Sequence, residues 1–340
     1  MSRTSKSPRM VAREAMAVAQ KTLPRYSSHF SRHDFQLCQH FACLVLKSFF
    51  RTDYRGIVAI LDDCCELRDE LALQKLPHFT TLQKAHQRLL CLTIATQLLD
   101  ATVERALGRQ PAVALAAGDS TGIETSQISP YFIKRRAPKH KTTQVTTYSR
   151  YPKLELLCDC RSHIILAALP AMGPHPDVDR LRPLLIGALA RGTRIGTAFF
   201  DAGYDSEANH FFARECCGVR SVIPAAAGRP SKDPLKLPQG KWRQLMRRYR
   251  DYRYGQRWQV ETTISMIKRR QGGYVLGRSI PSRFAELMLK ALTHNIMILL
   301  CCALRLSRSL PFFELSEEGF YRAGRMPKTG TGDGSYFPQF

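Results

Sequence analysis

The sequence predicts an α/β protein: a mixed sheet flanked by helices, preceded by an α-helical N-terminal region. Three observations predict it. Up to Leu107, apolar residues recur at three- and four-residue spacing. From Pro111 onward the texture changes to short β-type runs alternating with helical ones. These runs follow the order strand, strand, strand, helix, strand, helix, strand, with carboxylates at strand ends, which suits a sheet whose connecting helices cover its faces.

In the N-terminal region, 1–107, the helical spacing runs through Leu37, Phe41, Leu44, Val45 and Phe49. Ser31 and Asp53 stand where helix starts are wanted, and Pro77 breaks the pattern. Thr80-Thr81-Leu82 reopens it toward a helical run from His86 to Leu99. Such a region suits DNA-end binding, dimerisation, or simply a cap on the core.

The second region, 108–304, opens with a β-type run from Ala112 to Glu124 that holds Gly118-Asp119-Ser120-Thr121. Tyr131 to Lys153 then carries Lys134, Arg135, Arg136, Lys139, Lys141, Arg150 and Lys153 without a carboxylate, interleaved with aromatic residues. So one-signed a stretch reads as a surface for an anion rather than an ordinary solvated loop. The runs Leu154 to Cys160 and Ile164 to Leu169, joined by Arg161-Ser162-His163, predict a hairpin. A helix is expected over Asp177 to Arg191, a buried strand over Ile195 to Phe200 leading into Asp201-Ala202-Gly203-Tyr204, a helix over Ser206 to Cys216 and a strand over Val219 to Ile223. The segment 225–253 is a Gly, Pro and basic insert that includes Arg247 and Arg248, read as a mobile DNA-contacting segment. Helices over Gly255 to Gln271 and Ser282 to Leu304 follow, and the tail, 305–340, is expected to be partly disordered.

The chain holds 51 Lys plus Arg against 28 Asp plus Glu, a formal net charge of +23. That field attracts polyanions, and phosphate contacts from Lys and Arg supply sequence-independent affinity for nucleic acid. A membrane surface is the competing polyanion. The most apolar stretch, Leu287 into Leu304, is interrupted by Lys290, His294 and Asn295, so what remains is too short to span. Met1 to Glu14 shows neither the apolar core nor the cleavage site of a signal peptide. A cytoplasmic, nucleoid-associated protein with no membrane partner is expected. The 11 cysteines fit no zinc template and read as small buried hydrophobes in a reducing compartment.

Phosphoryl transfer on DNA calls for divalent cations a few ångströms apart, held by hard oxygen ligands. Asp119 and Asp201 each end an apolar strand, the place where ligands bind in open α/β sheets, although an aspartate capping the next turn looks the same in sequence. Tyr254, Arg257, Glu261 and Lys268 follow the spacing Tyr-x2-Arg-x3-Glu-x6-Lys. On one continuous helix they fall within roughly a 60-degree arc. Val260, Ile264 and Ile267 on the adjoining flank would seat that helix on the sheet and aim Glu261 at the aspartates. Arg257 and Lys268 then flank the site as phosphate clamps and Tyr254 forms a stacking or hydrogen-bonding wall. The competing reading is a solvated Arg–Glu pair at i, i+4.

These four residues resemble the Y-R-E-K signature of bacterial and archaeal insertion-sequence DDE transposases, whose catalytic core is RNase H-like. Asp201-Ala202-Gly203-Tyr204 resembles the second-aspartate block of that family and Gly118-Asp119-Ser120-Thr121 the looser first block, so the resemblance spans about Ala112 to Leu300. It implies an RNase H-like catalytic domain in which Asp119, Asp201 and Glu261 are catalytic and hold two Mg²⁺ ions, with Mn²⁺ able to replace them. It also implies hydrolysis that frees a 3′-hydroxyl at each element end, then attack of that hydroxyl on target DNA. The partners are double-stranded DNA, as terminal inverted repeats and target, and further copies of the chain in a homodimer or higher assembly. Tyr254, Arg257, Lys268, Lys134, Arg135, Arg136, Lys141, Arg247 and Arg248 are the expected DNA contacts. The short gap from Asp201 to Glu261 lacks the large β-rich insert of some relatives. His175 could position a strand or water, but a helix start capped by Asp177 explains Pro174-His175-Pro176-Asp177 as well. Two alternatives remain open at this point: another RNase H-fold nuclease, and a non-catalytic DNA-binding protein derived from a transposase.

Overall fold

A computed structural model describes residues 5–125, 151–226, 239–248 and 251–306. The N-terminal region folds as six helices: α1 Pro8–Thr22, α2 Leu37–Phe50, α3 Tyr54–Asp63, α4 Cys65–Glu70, α5 Phe79–Leu89 and α6 Leu92–Leu107. Asp53 starts α3 as expected, its side chain accepting from the Gly56 N–H at 2.7 Å. Ser31 starts nothing, because the next helix waits for the reciprocal cap between Gln36 and Gln39. The expected run from His86 to Leu99 is two helices, broken at Leu90–Cys91. Helix α2 is buried on all sides from Leu37 to Ser48, since α1, α3 and α5 and the later helices Trp258–Gln271 and Ile280–Leu306 pack around it.

The sheet follows the predicted strand order. Its members are β1 Ala112–Gly122, β3 Tyr151–Asp159, β4 Ile165–Gly173, β5 Arg194–Phe199 and β6 Arg220–Val222, with the short β2, Glu124–Thr125, set apart from them. Across the sheet the order is β4-β3-β1-β5-β6. β1 pairs antiparallel with β3 and parallel with β5, so both directions of chain meet at the central strand. β3 and β4 form the expected hairpin, and β6 lies parallel to β5. β2 pairs instead with β7, Tyr274–Val275. The helices on this frame are α7 Leu181–Leu189, α8 Glu207–Phe211 continuing into a π turn at Phe212–Cys216, α9 Lys241–Arg248, α10 Trp258–Gln271 and α11 Ile280–Leu306. A mixed five-strand sheet with flanking helices and a helical N-terminal region is the RNase H-like α/β arrangement.

One apolar core crosses the boundary near residue 108, running from Val11 on α1 to Leu299 on α11. Asn295 shows how: its amide accepts from Ile165 N at 2.8 Å and donates both to Ile165 O and to Thr102 Oγ1 on α6. Lys290, His294 and Asn295, the residues that interrupt the apolar stretch, are all buried, and each holds polar partners. Among the described residues no helix is long and apolar enough to cross a membrane.

Several expectations need correction. Lys134, Arg135, Arg136 and Lys141 lie outside the described residues, but Lys153, assigned with them to a basic surface, is buried on β3 and ion-paired with Asp177. β3 is an interior strand buried on both faces, so neither face offers the side chain solvent. Asp177 is accordingly a partner of Lys153 and not a helix cap, and a 3-10 turn, Asp177–Arg180, precedes α7. The basic insert contains the helix α9, held by two acids: Glu207 accepts from the Trp242 and Arg243 amides at 3.1 Å, and Asp205 accepts from the Arg243 guanidinium at 2.7 and 2.9 Å. Cys38, Cys43, Cys158 and Cys160 are buried as expected, whereas Cys64, Cys65, Cys91 and Cys216 are exposed.

Candidate active site

Asp119 lies on the central strand β1, and Asp201 follows the last residue pair of the adjacent parallel strand β5. The backbone needs a glycine just before Asp119. A Cβ on Gly118 would fall 2.2 Å from the Phe200 ring, so only glycine lets that ring lie against the face of β1 opposite Asp119. Asp201 caps the 3-10 turn Ala202–Tyr204, its Oδ1 accepting from the Gly203 N–H at 2.9 Å. The capping role and a functional role are therefore compatible, because the cap fixes one oxygen and so orients the other.

Glu261 sits on the first turn of α10, which packs on the sheet through buried Val260 and Ile267, with Ile264 partly buried. The expected continuous helix is not what precedes it. Tyr254 and Arg257 belong to a 3-10 turn, Tyr252–Arg257, capped by Asp251, so the four signature residues do not share one α-helical face. Tyr254, Arg257 and Glu261 still converge by another route. The Tyr254 hydroxyl donates to Phe200 O at 3.1 Å and so ties the turn to the end of β5. Arg257 then bridges the carboxylates: its Nη1 donates to Asp119 Oδ2 at 3.2 Å and its Nη2 to Glu261 Oε1.

Lys268 stands two turns further along α10, half-buried, with no polar contact to the acids among the described residues. Arg247 is exposed on α9, which also carries Arg248. The His175 ring turns back to Pro176 O at 2.8 Å.

Burial raises the Asp119 carboxyl above the ordinary aspartate range, and the nearby charges of Asp201 and Glu261 push the same way, while the Ser120 N–H and Arg257 oppose them. A second polar cluster, which sequence reasoning missed, lies on the other face of β1. Ser120 Oγ donates to Asp177 at 3.0 Å, Lys153 pairs with the same carboxylate, and fully buried Glu155 lies 3.6 Å from Arg180. Its only trace in the sequence is alternation: Lys153 and Glu155 share one face of a strand otherwise rich in Leu.

An RNase H-like sheet with one acid on the central strand, a second just past the adjacent parallel strand and a third on a helix packed against that central strand defines the class of protein. The family described as transposase DDE domain matches residues 115–296, more than half of the chain, and the chain belongs to that family. No curated protein matches it. Members of this family act on DNA and generally use divalent metals.

By donor chemistry Asp119, Asp201 and Glu261 fit such ions: they are hard oxygen ligands whose mutual repulsion a cation would relieve. Among the described residues no three His, Cys, Asp or Glu side chains are gathered round one point. The Arg257 guanidinium stands between Asp119 and Glu261 and supplies positive charge there.

Proposed function

We propose that the protein is a DNA transposase that cleaves phosphodiester bonds at the ends of its element and transfers the freed 3′-hydroxyl into target DNA. The observation that carries this reading is the Arg257 bridge between Asp119 and Glu261, with Asp201 near enough for its charge to act on the Asp119 carboxyl. Asp119, Asp201 and Glu261 are the catalytic residues and the ligands of two Mg²⁺ ions, with Mn²⁺ an acceptable substitute. When bound, such ions activate the attacking oxygen and stabilise the leaving one.

The chain's own residues supply position and charge. Asp119 receives the Ser120 N–H at 2.7 Å, which fixes its carboxylate plane on the rigid central strand. Tyr254 fixes the turn that carries Arg257. The Arg257 donors not engaged by carboxylates are available to a phosphate oxygen beside the acids. Lys268 extends that clamp along α10. Further DNA contacts come from Arg247 and Arg248 on α9 and from Lys134, Arg135, Arg136 and Lys141. Paired inverted repeats call for a homodimer or a higher assembly.

The test is cleavage of a duplex carrying the element's terminal inverted repeat, with and without Mg²⁺. Wild-type protein cuts at the repeat boundary and joins the cut end to a plasmid. Asp201→Ala and Glu261→Ala lose cleavage by about a thousandfold or more and still bind the duplex. Undiminished cleavage by either variant refutes the ligand assignment. Cleavage without joining points to a nuclease.

A further inference from the structure

Helix α9, Lys241–Arg248, cannot hold itself together. Its 8 residues fall short of the roughly 12 to 15 that an isolated helix needs in water, and its charged side chains are all basic. What holds it lies on another segment, beginning just past Asp201. Glu207 accepts from the Trp242 and Arg243 N–H groups, each at 3.1 Å, and so closes the N-terminal end of the helix from outside. Gly240 lets the two approach: its φ is +108°, and a Cβ there would fall 2.3 Å from Glu207 Oε2. The Asp205 carboxylate, sealed from solvent, accepts from Arg243 Nε and Nη2. The Trp242 ring meets the Lys241 ammonium and the Arg214 guanidinium, each 4.4 Å from its centre.

The same acids hold both ends of the basic insert. Asp205 Oδ2 also accepts from the Ala226 N–H at 2.7 Å, while Glu207 holds the chain just after Gly240. Between these points the sequence carries Arg229, Lys232 and Lys236 against Asp233. Acids have the wrong sign for a surface that meets phosphate. Here both are turned to α9 from beneath, and the face left outward carries exposed Lys241, Gln244, Leu245 and Arg247 without an acid. The support is also continuous with the catalytic turn. Asp201 caps the 3-10 turn Ala202–Tyr204, and Asp205 closes it by donating its N–H to Ala202 O at 3.1 Å.

We infer that Asp205 and Glu207 are positioning residues for DNA: they keep α9 helical and fix its basic face relative to Asp201. The inference rests on the reading of Arg247 and Arg248 as DNA contacts.

The experiment uses the full chain and measures affinity for a labelled terminal-repeat duplex by fluorescence anisotropy across a salt series, together with kcat and KM for end cleavage. Glu207→Ala makes the protein more positive, and charge alone would then tighten DNA binding. The opposite is expected. Without its cap α9 loosens, and the plot of log affinity against log salt becomes shallower by about 1.8, the value of two phosphate contacts. KM rises with the lost affinity and kcat changes little. Glu207→Gln keeps an oxygen that can accept from both N–H groups and should restore the wild-type slope. Gly240→Ala changes no charge, pushes the start of α9 off Glu207, and should flatten the slope as Glu207→Ala does; it serves alone if that variant does not fold. Where Arg247 and Arg248 are both already alanine, Glu207→Ala should flatten the slope no further.

A wild-type or steeper slope in Glu207→Ala and Gly240→Ala, with the double arginine variant flattened, overturns the inference alone. A fall in kcat at unchanged affinity also overturns it, because Glu207 then serves the Asp201 turn and not α9. A wild-type slope in the double arginine variant removes α9 from the DNA interface and overturns the inference together with that reading. Failure of the transposase reading appears separately, as a wild-type protein that binds the duplex without cutting it, and the slopes still decide what Asp205 and Glu207 do.

Discussion

The two faces of β1 carry acidic clusters that differ in one respect, the supply of positive charge. On one face Asp119 shares a single guanidinium, that of Arg257, with Glu261, and Asp201 adds a third negative charge nearby. On the other, Ser120 leads to Asp177, which has its own ammonium from Lys153, and Glu155 has Arg180 beside it. Glu261 is about half exposed, whereas Lys153 and Asp177 are largely sealed. Acids left short of positive charge repel one another, which raises the Asp119 carboxyl; acids matched with bases inside the protein hold strands and turns together. Neighbouring residues on one strand thus do different work because pleating sends them to opposite faces.

Asp119→Asn breaks that contrast most strongly. It should lower end cleavage by about a thousandfold or more, since a neutral amide is a poor ligand for a hard cation. It should also raise the melting temperature in metal-free buffer. The sign follows from the raised carboxyl: the folded state prefers Asp119 protonated, so its contribution to stability is present below the ordinary aspartate pKa and is lost as pH rises through the raised one. Removing the charge removes that loss. Calorimetry and the cleavage assay, run on the same preparation, check both halves, and a fall in melting temperature would show that Asp119 is an ordinary structural partner of Arg257.

Asp177→Asn is the mirror-image change and the next largest. It leaves the Lys153 ammonium buried without its counter-ion, which should cost about 3 kcal/mol of stability in urea unfolding. Cleavage per folded molecule should stay within tenfold of wild type. A loss comparable to that of Asp119→Asn would move Asp177 from the structural cluster into the catalytic one. Arg257→Lys is smaller again, because charge survives and the bridging fork does not. Cleavage should fall roughly tenfold to a hundredfold through kcat, with little change in DNA affinity.

These contrasts also show what the sequence could reveal. The strand order, the hairpin and the position of Asp201 past the end of β5 were legible because each depends on local periodicity and on where an apolar run stops, whereas Asp119 does not end its strand: β1 runs on to Gly122 through its pairing with β3. Convergence of Tyr254, Arg257 and Glu261 was legible from spacing, yet the geometry was not: the 3-10 turn is stabilised by Asp251 and by the reach of Tyr254 to Phe200 O, and neither contact has a periodic trace. The partners of Lys153 and Asp177, 24 residues apart, were hidden for the same reason.

The smallest effect lies on the compensated face, where compensation is incomplete at Glu155. Burial pushes its carboxyl up to about 7, with Asp177 in support and Lys153 and Arg180 in opposition. In the unfolded chain the group is ionised throughout the neutral range, so the folded protein holds the extra proton. Stability from this group is therefore present below the ordinary glutamate pKa and is lost as pH rises through about 7. Between pH 6 and 8 the loss should amount to about 1 kcal/mol. Lys290, pushed down to about 8 mainly by burial, titrates in part of the same window, so the informative quantity is the difference between wild type and Glu155→Gln. That difference should change by about 1 kcal/mol across the window, with the glutamine variant gaining on wild type toward alkaline pH. If the difference stays flat, Arg180 and Lys153 fully neutralise Glu155, and the compensated face of β1 is complete in its charges as well as closed to solvent.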